Sequence, residues 1–294
     1  KFLNKKGKKI IGWDEIIEGG IPNNATVQSW RGMDGGILAA QNQHEAIMSP
    51  TSHCYFDYGL DAIDMEKVYF YDPIPEILNE KEKKHILGGE CNMWTERAPQ
   101  ETIDSKVFPR ILAMSEVLWS DSKKNYNDFY ERVQQHYSRL DELGVTYGLE
   151  GVPIKSEIGY LNDEFLITLI PGHPSIKLEY SVDSVNWNKY TDPFTLNKSS
   201  NIYARGFKNE EKYGNFKQQL IKSKSTGKTV TYIIPYSQYY QGKEEKNLTD
   251  GLVGSSDNFR DGYYQGFWGT NFDVIIDLGE ISKFSEIHAT FFQY

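Results

Sequence analysis

Hydrophobic positions in the first 145 residues form short apolar runs separated by segments of helical periodicity. Apolar runs that end in aromatic or polar residues are typical of buried parallel strands. They predict four strands, at residues 10–13, 25–30, 45–50 and 85–94.

The intervening segments predict helices at residues 37–43, 75–85 and 107–119, and Trp119 falls in an apolar stripe that places it in the core. The clearest helix follows them. Apolar side chains recur at helical spacing from Tyr126 to Leu140, Asn125 can cap the start, and Gly144 can end it.

Strand, loop and helix repeat in this half of the chain, as in an α/β barrel or a doubly wound sheet. Four such units make half of an eight-stranded barrel, which usually needs about 250 residues. The expected fold is therefore α/β, the C-terminal half of a (β/α)8 TIM barrel over residues 1–149, with the front half preceding residue 1.

The pattern changes to strict alternation after residue 150 and predicts only β-structure. Strands are expected at residues 165–170, 176–182, 201–207, 217–223, 230–236 and 272–279. A polar break at residues 223–228 divides this half into two sandwich-type domains, residues 150–224 and 225–294.

Composition narrows the possible partners. The chain has 294 residues, 39% of them hydrophobic and 25% charged, as in ordinary globular proteins. A net charge of -9 without basic blocks argues against nucleic acid, and no apolar run approaches the roughly 20 residues of a membrane span. Cys54 and Cys91 lack metal-ligand spacing and are expected to be buried thiols, although one disulfide is possible if they meet.

Four motifs carry a resemblance to a known family. They are GWDEI at 12–16, QSW at 28–30, SPTSHCYFDY at 49–58 and GGECNMWTE at 88–96. In order and spacing they are similar to the second half of the catalytic barrel of glycoside hydrolase family 20, the β-N-acetylhexosaminidases. Residues 180–194 resemble the small β-domain that often follows such barrels, and residues 248–279 resemble the beginning of a discoidin-type (galactose-binding-like) domain.

The resemblance implies a retaining exo-enzyme that removes terminal β-linked N-acetylglucosamine or N-acetylgalactosamine, in the periplasm or outside the cell. The 2-acetamido oxygen of the substrate would act as nucleophile, an exception to the two-carboxylate scheme. The family's catalytic Asp-Glu pair would lie upstream of this chain. No cofactor or metal is implied, and the oligomeric state is open.

Matching of the motifs assigns a role to six residues. Tyr55 would donate its hydroxyl to the acetamido oxygen and is the predicted catalytic residue of this part. The predicted substrate-binding residues are aromatic walls around the sugar and acceptors for its outer hydroxyls: Trp13, Trp30 and Trp94, with Asp57 and Glu96.

Asp14 and Glu15 are adjacent carboxylates, but the resemblance places them on the strand after the one that bears the acid pair. On an extended strand they would point to opposite faces, so at most one could line the pocket. We expect both to be structural.

Two other functions stay open. One is a non-catalytic carbohydrate-binding or adhesion module, in which C-terminal aromatic residues bind glycans, although packing is the favoured role for residues such as Tyr239 and Trp268. The other is an unrelated barrel glycosidase with two protein carboxylates, in which Asp57 or Glu96 would be catalytic. A Ca²⁺ site near residues 247–251 is a further hypothesis, based on the NLTDG stretch.

Overall fold

The computed structural model describes residues 2–96, 98–120, 123–256, 259 and 261–292. The chain divides into two compact units, residues 1–152 and 153–294. The predicted boundary at residues 223–228 is not tested by this division and stays a prediction.

The N-terminal unit is built on a parallel sheet of four strands. They are β1 (Ile10–Trp13), β2 (Ala25–Ser29), β3 (Ala46–Met48) and β4 (Ile86–Gly89). Their order in the sheet is their order in the chain, and each neighbouring pair is parallel. A doubly wound sheet would reverse its order at a switch point, whereas a TIM-barrel-type fold adds strands in sequence. The sheet is therefore of the TIM-barrel type.

Six α-helices are described in this unit: α1 (Phe2–Lys5), α2 (Asp34–Gln41), α3 (Met65–Tyr69), α4 (Ile103–Val107), α5 (Arg110–Trp119) and α6 (Tyr126–Glu142). Helix α6 confirms its prediction. The Asn125 side chain accepts a hydrogen bond from the Asp128 amide at 3.3 Å, and Gly144 takes a positive φ of 69° just beyond the end of the helix.

Two predictions for this unit were wrong. Residues 75–85 form turns and a single 3-10 turn, Lys83–His85, instead of an α-helix. Pro73 and Pro75 remove backbone donors there, and Asn79 binds the amides of the residues that follow it in a local turn. Trp119 is not in the core, since it is 90% exposed at the last position of α5.

The core of the N-terminal unit lies between the sheet and its helices. It joins Val27, Ala46 and Met48 of the strands to side chains of α2, α3, α5 and α6. Cys54 is buried and Cys91 partly buried, and both are free thiols. Burial raises the pKa of the Cys54 thiol to about 12, so it stays protonated.

The C-terminal unit contains antiparallel strands. One sheet contains β5 (Ile154–Leu161), β6 (Glu164–Pro171) and β9 (Phe194–Leu196). The other contains β7 (Lys177–Ser181), β8 (Asn188–Lys189), β10 (Ser200–Lys208) and β11 (Glu211–Leu220), in the order β11-β10-β7-β8. Alternate residues of both sheets share one core, which includes Phe165, Ile167, Leu178 and Ile202.

The last part of this unit is sparser in regular structure. Strands β12 (Thr229–Tyr232) and β13 (Val274–Asp277) pair antiparallel, and a 3-10 turn occupies Glu244–Lys246. The predicted strands at residues 230–236 and 272–279 are therefore present but shorter. Within the described residues, no helix is both long and apolar enough to cross a membrane.

Candidate active site

The predicted site residues follow the carboxyl ends of the parallel strands. Trp13 ends β1, and Trp30 comes directly after β2. Tyr55 lies beyond β3 and forms an isolated parallel bridge with Asn92, which lies beyond β4. This edge of a TIM-barrel-type sheet is where catalytic residues are placed in such folds.

Four aromatic side chains, which we call the aromatic rim, meet at this edge: Trp13, Trp30, Tyr55 and Trp94. The ring centroids are 6.5 Å apart for Trp13 and Trp30, 6.0 Å for Trp13 and Trp94, and 6.4 Å for Trp30 and Tyr55. Trp13 and Trp94 are partly open to solvent, at 37% and 42% exposure, whereas Tyr55 is buried. The structure thus brings together the four aromatic residues that the sequence motifs singled out.

Asp14 and Glu15 are not on a strand, as the sequence had suggested, but in a 3-10 turn, Asp14–Ile17. Buried Asp14 accepts hydrogen bonds from the backbone amides of Trp30 and Arg31, both at 3.2 Å, and from Arg31 Nε at 2.6 Å. Exposed Glu15 accepts from the Trp30 indole Nε1 at 3.0 Å. Both carboxylates therefore hold the residues after β2 in place.

The charge state of Glu15 follows from these contacts. The hydrogen bond from Trp30 is the main reason that the pKa of Glu15 lies below its ordinary value, and the nearby Arg31 charge acts in the same direction. Glu15 is thus ionised near neutral pH, and an ionised carboxylate is a strong acceptor for the indole N–H of Trp30.

The Tyr55 hydroxyl is kept neutral by its surroundings. Burial raises the pKa of Tyr55 to about 12, and a hydrogen bond from the Trp94 side chain opposes part of that rise. A tyrosine hydroxyl that accepts a bond from an indole N–H can still donate its own hydrogen. Tyr55 can therefore act as a hydrogen-bond donor over the whole neutral pH range.

Asp57 is 5% exposed, and its Oδ1 is buried without a hydrogen-bond partner in the described part of the chain. Its backbone carbonyl accepts from Lys106 Nζ at 2.8 Å. A buried carboxylate oxygen without a donor is costly, and such atoms in native proteins require an explanation. Asp57 Oδ1 thus keeps an acceptor position that no described residue uses.

Arg110 holds the segment that carries Tyr55 and Asp57. It is 1% exposed at the start of α5, and its guanidinium donates to the carbonyls of Phe56, Tyr58 and Ile63, the last at 2.9 Å. Burial lowers the pKa of Arg110 to about 10, and the charge of Asp57 opposes this change. Sequence analysis missed Arg110 because an arginine in an apolar helical stretch gives no signal of its contacts.

Glu96 is exposed in a turn, two residues after Trp94 of the rim. Its role stays a prediction. Sequence analysis also missed Asn92, the bridge partner of Tyr55, whose Nδ2 is a second buried atom without a partner in the described part of the chain. Among the described residues, no group of three His, Cys, Asp or Glu side chains could hold a metal ion.

The fold and this edge of the sheet define an α/β protein of the TIM-barrel type. Residues 1–122 match the sequence profile described as "Glycosyl hydrolase family 20, catalytic domain", and this part of the chain belongs to that family.

Two curated relatives are similar to the chain over stretches longer than the 122 residues of the family match. A Beta-hexosaminidase of Porphyromonas gingivalis is 35% identical over 216 residues, which are 67% of this chain and 27% of that protein. A Beta-N-acetylhexosaminidase of Cellulomonas fimi is 31% identical over 157 residues, 47% of this chain and 31% of that protein. The chain therefore spans about a third or less of the length of these relatives.

Among solved structures, the chitobiase of Flavobacterium johnsoniae is 35% identical with a TM-score of 0.44, covering 49% of this chain and 23% of that one. The exo beta-N-acetylglucosaminidase of Vibrio harveyi in complex with N-acetylglucosamine is 26% identical with a TM-score of 0.47, covering 50% of this chain and 26% of that one.

Proposed function

We propose that this chain is part of a retaining exo-β-N-acetylhexosaminidase of the periplasm or the cell exterior, and that it supplies the wall of the sugar pocket. The observation that carries the proposal is the aromatic rim, in which the four aromatic residues of the family motifs meet, with the buried carboxylate of Asp57 two residues after Tyr55. The match of residues 1–122 to the family and the names of the relatives support it.

In this mechanism the substrate's acetamido oxygen attacks the anomeric carbon as the glycosidic bond breaks, and water later opens the cyclic intermediate. Tyr55 donates its hydroxyl to the acetamido oxygen and holds it in line. Since the acetamido group gains positive charge as its oxygen bonds to carbon, a fixed partner that orients it is worth most in the transition state. Tyr55 is suited to this role because burial keeps it protonated.

The indole faces of the rim exclude water and pack on the C–H surfaces of the sugar and its acetamido methyl group. Asp57 accepts a bond from an outer hydroxyl, with its unpartnered Oδ1 as the acceptor. Glu96, in the turn beyond Trp94, would accept from a second hydroxyl once the sugar is bound.

The proton donor and the carboxylate that orients the amide N–H belong, in this proposal, to a segment N-terminal to Lys1. Asp14 and Glu15 do not suit those roles, because their oxygens already accept bonds from Trp30 and Arg31. The protein that contains both that segment and these 294 residues is called the full-length protein below.

The test compares the full-length protein with the 294-residue chain on chromogenic N-acetylglucosaminides and N-acetylgalactosaminides. Activity is expected in the full-length protein only, and Asp14→Asn and Glu15→Gln variants should retain most of it. Turnover by the 294-residue chain that Glu15→Gln abolishes would show that GWDE is the acid pair. An inactive full-length protein that binds glycans would favour the carbohydrate-binding module.

A further inference from the structure

Asn92 is placed beside Tyr55 by the backbone. Its N–H donates to the Cys54 carbonyl at 2.7 Å, and its own carbonyl accepts from the Phe56 N–H at 2.8 Å. These two bonds make Asn92 and Tyr55 direct neighbours on adjacent parallel segments. Paired residues of adjacent strands project to the same face, so the Asn92 side chain shares the face on which Tyr55 meets the rim.

Two buried polar atoms lack a partner at this place. The Asn92 Nδ2 is a donor and the Asp57 Oδ1 is an acceptor, and neither makes a hydrogen bond among the described residues. Asp57 follows Tyr55 by two residues, in the turn closed by the bond from the Tyr58 N–H to the Tyr55 carbonyl at 3.1 Å, directly after the bridge. Each of these two buried atoms is costly for the free protein, because it keeps its desolvation penalty.

The chemistry of the pair selects one type of ligand group. An anion would satisfy the amide but would be repelled by the carboxylate, and a cation would satisfy only the carboxylate. A hydroxyl has one donor hydrogen and two acceptor lone pairs, so it can satisfy both atoms at once. The neighbouring rim of flat aromatic faces fits a molecule whose hydroxyls stand on a C–H framework.

We infer that Asn92 is a further substrate-binding residue, whose amide N–H donates to a sugar hydroxyl that in turn donates to Asp57. The inference rests on the proposed function, since it takes the ligand of the rim to be a sugar. A site of this kind discriminates against a sugar that lacks the shared hydroxyl, because both protein atoms would then stay buried and unpaired.

The experiment measures kcat/KM of the full-length protein and of Asn92→Ala on an aryl N-acetylglucosaminide and on its 3-, 4- and 6-monodeoxy analogues. Asn92→Ala is expected to lose about tenfold on the parent sugar, the value of one neutral hydrogen bond. The same loss is expected on two analogues, and none on the analogue that lacks the shared hydroxyl. Asp57→Ala should likewise leave kcat/KM unchanged on that analogue while lowering it on the other three substrates.

Controls keep the outcomes separate. Asn42→Ala removes an exposed amide at the end of α2 and should leave all four rates unchanged. Asn92→Leu keeps nearly the size of the side chain without its donor or a charge, and it should show the same loss on every substrate except the analogue that lacks the shared hydroxyl. Fold is checked by thermal melting of each variant.

Two results would overturn the inference while leaving the proposed function intact. One is an equal loss for Asn92→Ala on all four substrates, as a structural role or a bond to the acetamido group would give. The other is no loss on any of them. A wild-type protein without activity or binding toward any N-acetylhexosaminide would instead remove the proposed function itself.

Discussion

Two aspartates, one in each unit, share a buried carboxylate oxygen without a partner among the described residues, but their surroundings differ. They are Asp57 and Asp250. Asp57 follows Tyr55 of the aromatic rim by two residues and lies close enough to buried Arg110 for its charge to raise the pKa of that guanidinium. Asp250 lies near Lys243, whose ammonium is 4.5 Å from the centre of the Tyr263 ring.

The difference shows that an unpartnered carboxylate does not by itself define a site. At Asp250 burial raises the pKa to about 6, with the Lys243 charge opposing the rise, so protonation relieves the cost. At Asp57 the guanidinium of Arg110 is held nearby by backbone carbonyls, and Oδ1 keeps an unused acceptor position among the described residues. Protonation relieves the desolvation cost at Asp250, whereas at Asp57 we propose that a hydroxyl of a bound sugar relieves it.

The aromatic residues of the two units also differ in their surroundings. Packing was the predicted role for Tyr239 and Trp268, and this was wrong, since they are 72% and 71% exposed. Their ring centroids are 6.3 Å apart. They lack the buried polar neighbours that the rim has in the described part of the chain, so we expect their removal to leave hydrolysis unchanged.

The largest effect should come from Arg110→Met in the full-length protein. The change leaves several buried carbonyls without their donor and Asp57 without its nearest buried cation. The free energy of unfolding should fall by about 3–5 kcal/mol, the usual cost of removing one member of a buried charged network. Urea unfolding measures it.

Arg132→Met is the matched control, because Arg132 is partly exposed: it pairs with Glu116 and Asp128 on helices α5 and α6 and lies over the Phe129 ring at 5.5 Å. Its loss should stay under about 1 kcal/mol. Equal losses for the two arginines would contradict the assignment of Arg110 as the residue that positions the Tyr55 segment.

Tyr55→Phe should lower kcat far more than it raises KM, because the Tyr55 hydroxyl holds the acetamido oxygen in line for its attack on the anomeric carbon. The expected loss is about 2–4 kcal/mol in transition-state stabilisation, measured on an aryl N-acetylglucosaminide. Tyr239→Phe, the same change at an exposed tyrosine of the other unit, should have no effect. An unchanged kcat for Tyr55→Phe would exclude Tyr55 from the mechanism.

Asp250→Asn should change how stability depends on pH. The pKa of Asp250 is about 6 in the folded state and near 3.9 in the unfolded chain, so the folded state holds the proton more tightly. The favourable contribution is complete below about pH 4 and is lost as pH rises through 6, on the order of 1–3 kcal/mol.

Asparagine cannot titrate, so the variant should be more stable than the wild type at pH 7, and this advantage should disappear by pH 4. Thermal melting at pH 4, 5, 6 and 7 measures the difference between the two proteins. Identical curves across this range would show that Asp250 does not carry the predicted proton. Asp273→Asn, at an exposed aspartate of the same unit, is the control.

The smallest effect is expected for Glu15→Ala. Its carboxylate fixes the Trp30 indole N–H at 3.0 Å, so its loss should let the wall of the pocket move and raise KM about twofold to fivefold, with kcat nearly constant. Trp268→Ala should change neither constant. A fall of kcat by orders of magnitude in Glu15→Ala would instead indicate that Glu15 takes part in the chemistry.

The parts of the molecule that could be predicted from the sequence are those that depend on local pattern. Apolar runs located the four parallel strands, and apolar spacing with a cap located α6. The prediction of a helix at residues 75–85 was wrong, because two prolines and a turn around Asn79 outweigh the helix-favouring composition of this segment. The prediction that Trp119 is buried was wrong, because an apolar stripe does not show how far along the helix the neighbouring elements pack against it.

Some features of the candidate site could likewise be predicted from the sequence, and others could not. The rim could be predicted because its residues stand in ordered motifs at strand ends, and the structure brings them together. The anchoring of Trp30 by Asp14 and Glu15 depends on a 3-10 turn that breaks the alternation of the strand. The roles of Arg110 and Asn92 depend on which buried atoms meet, and no spacing in the sequence encodes that.

The sequential order of the parallel strands also bears on how the N-terminal unit forms. Each strand pairs with the next one along the chain, so every pairing closes a loop of modest length, for which the entropic cost is low. During synthesis, β2 can dock on β1 before β3 has left the ribosome, and the sheet can grow from one edge. Trp30 would then be tied to Asp14 and Glu15 early, whereas Tyr55 would wait for Asn92. Tyr55 would thus reach its position only after β4 and the segment that carries Asn92 are in place.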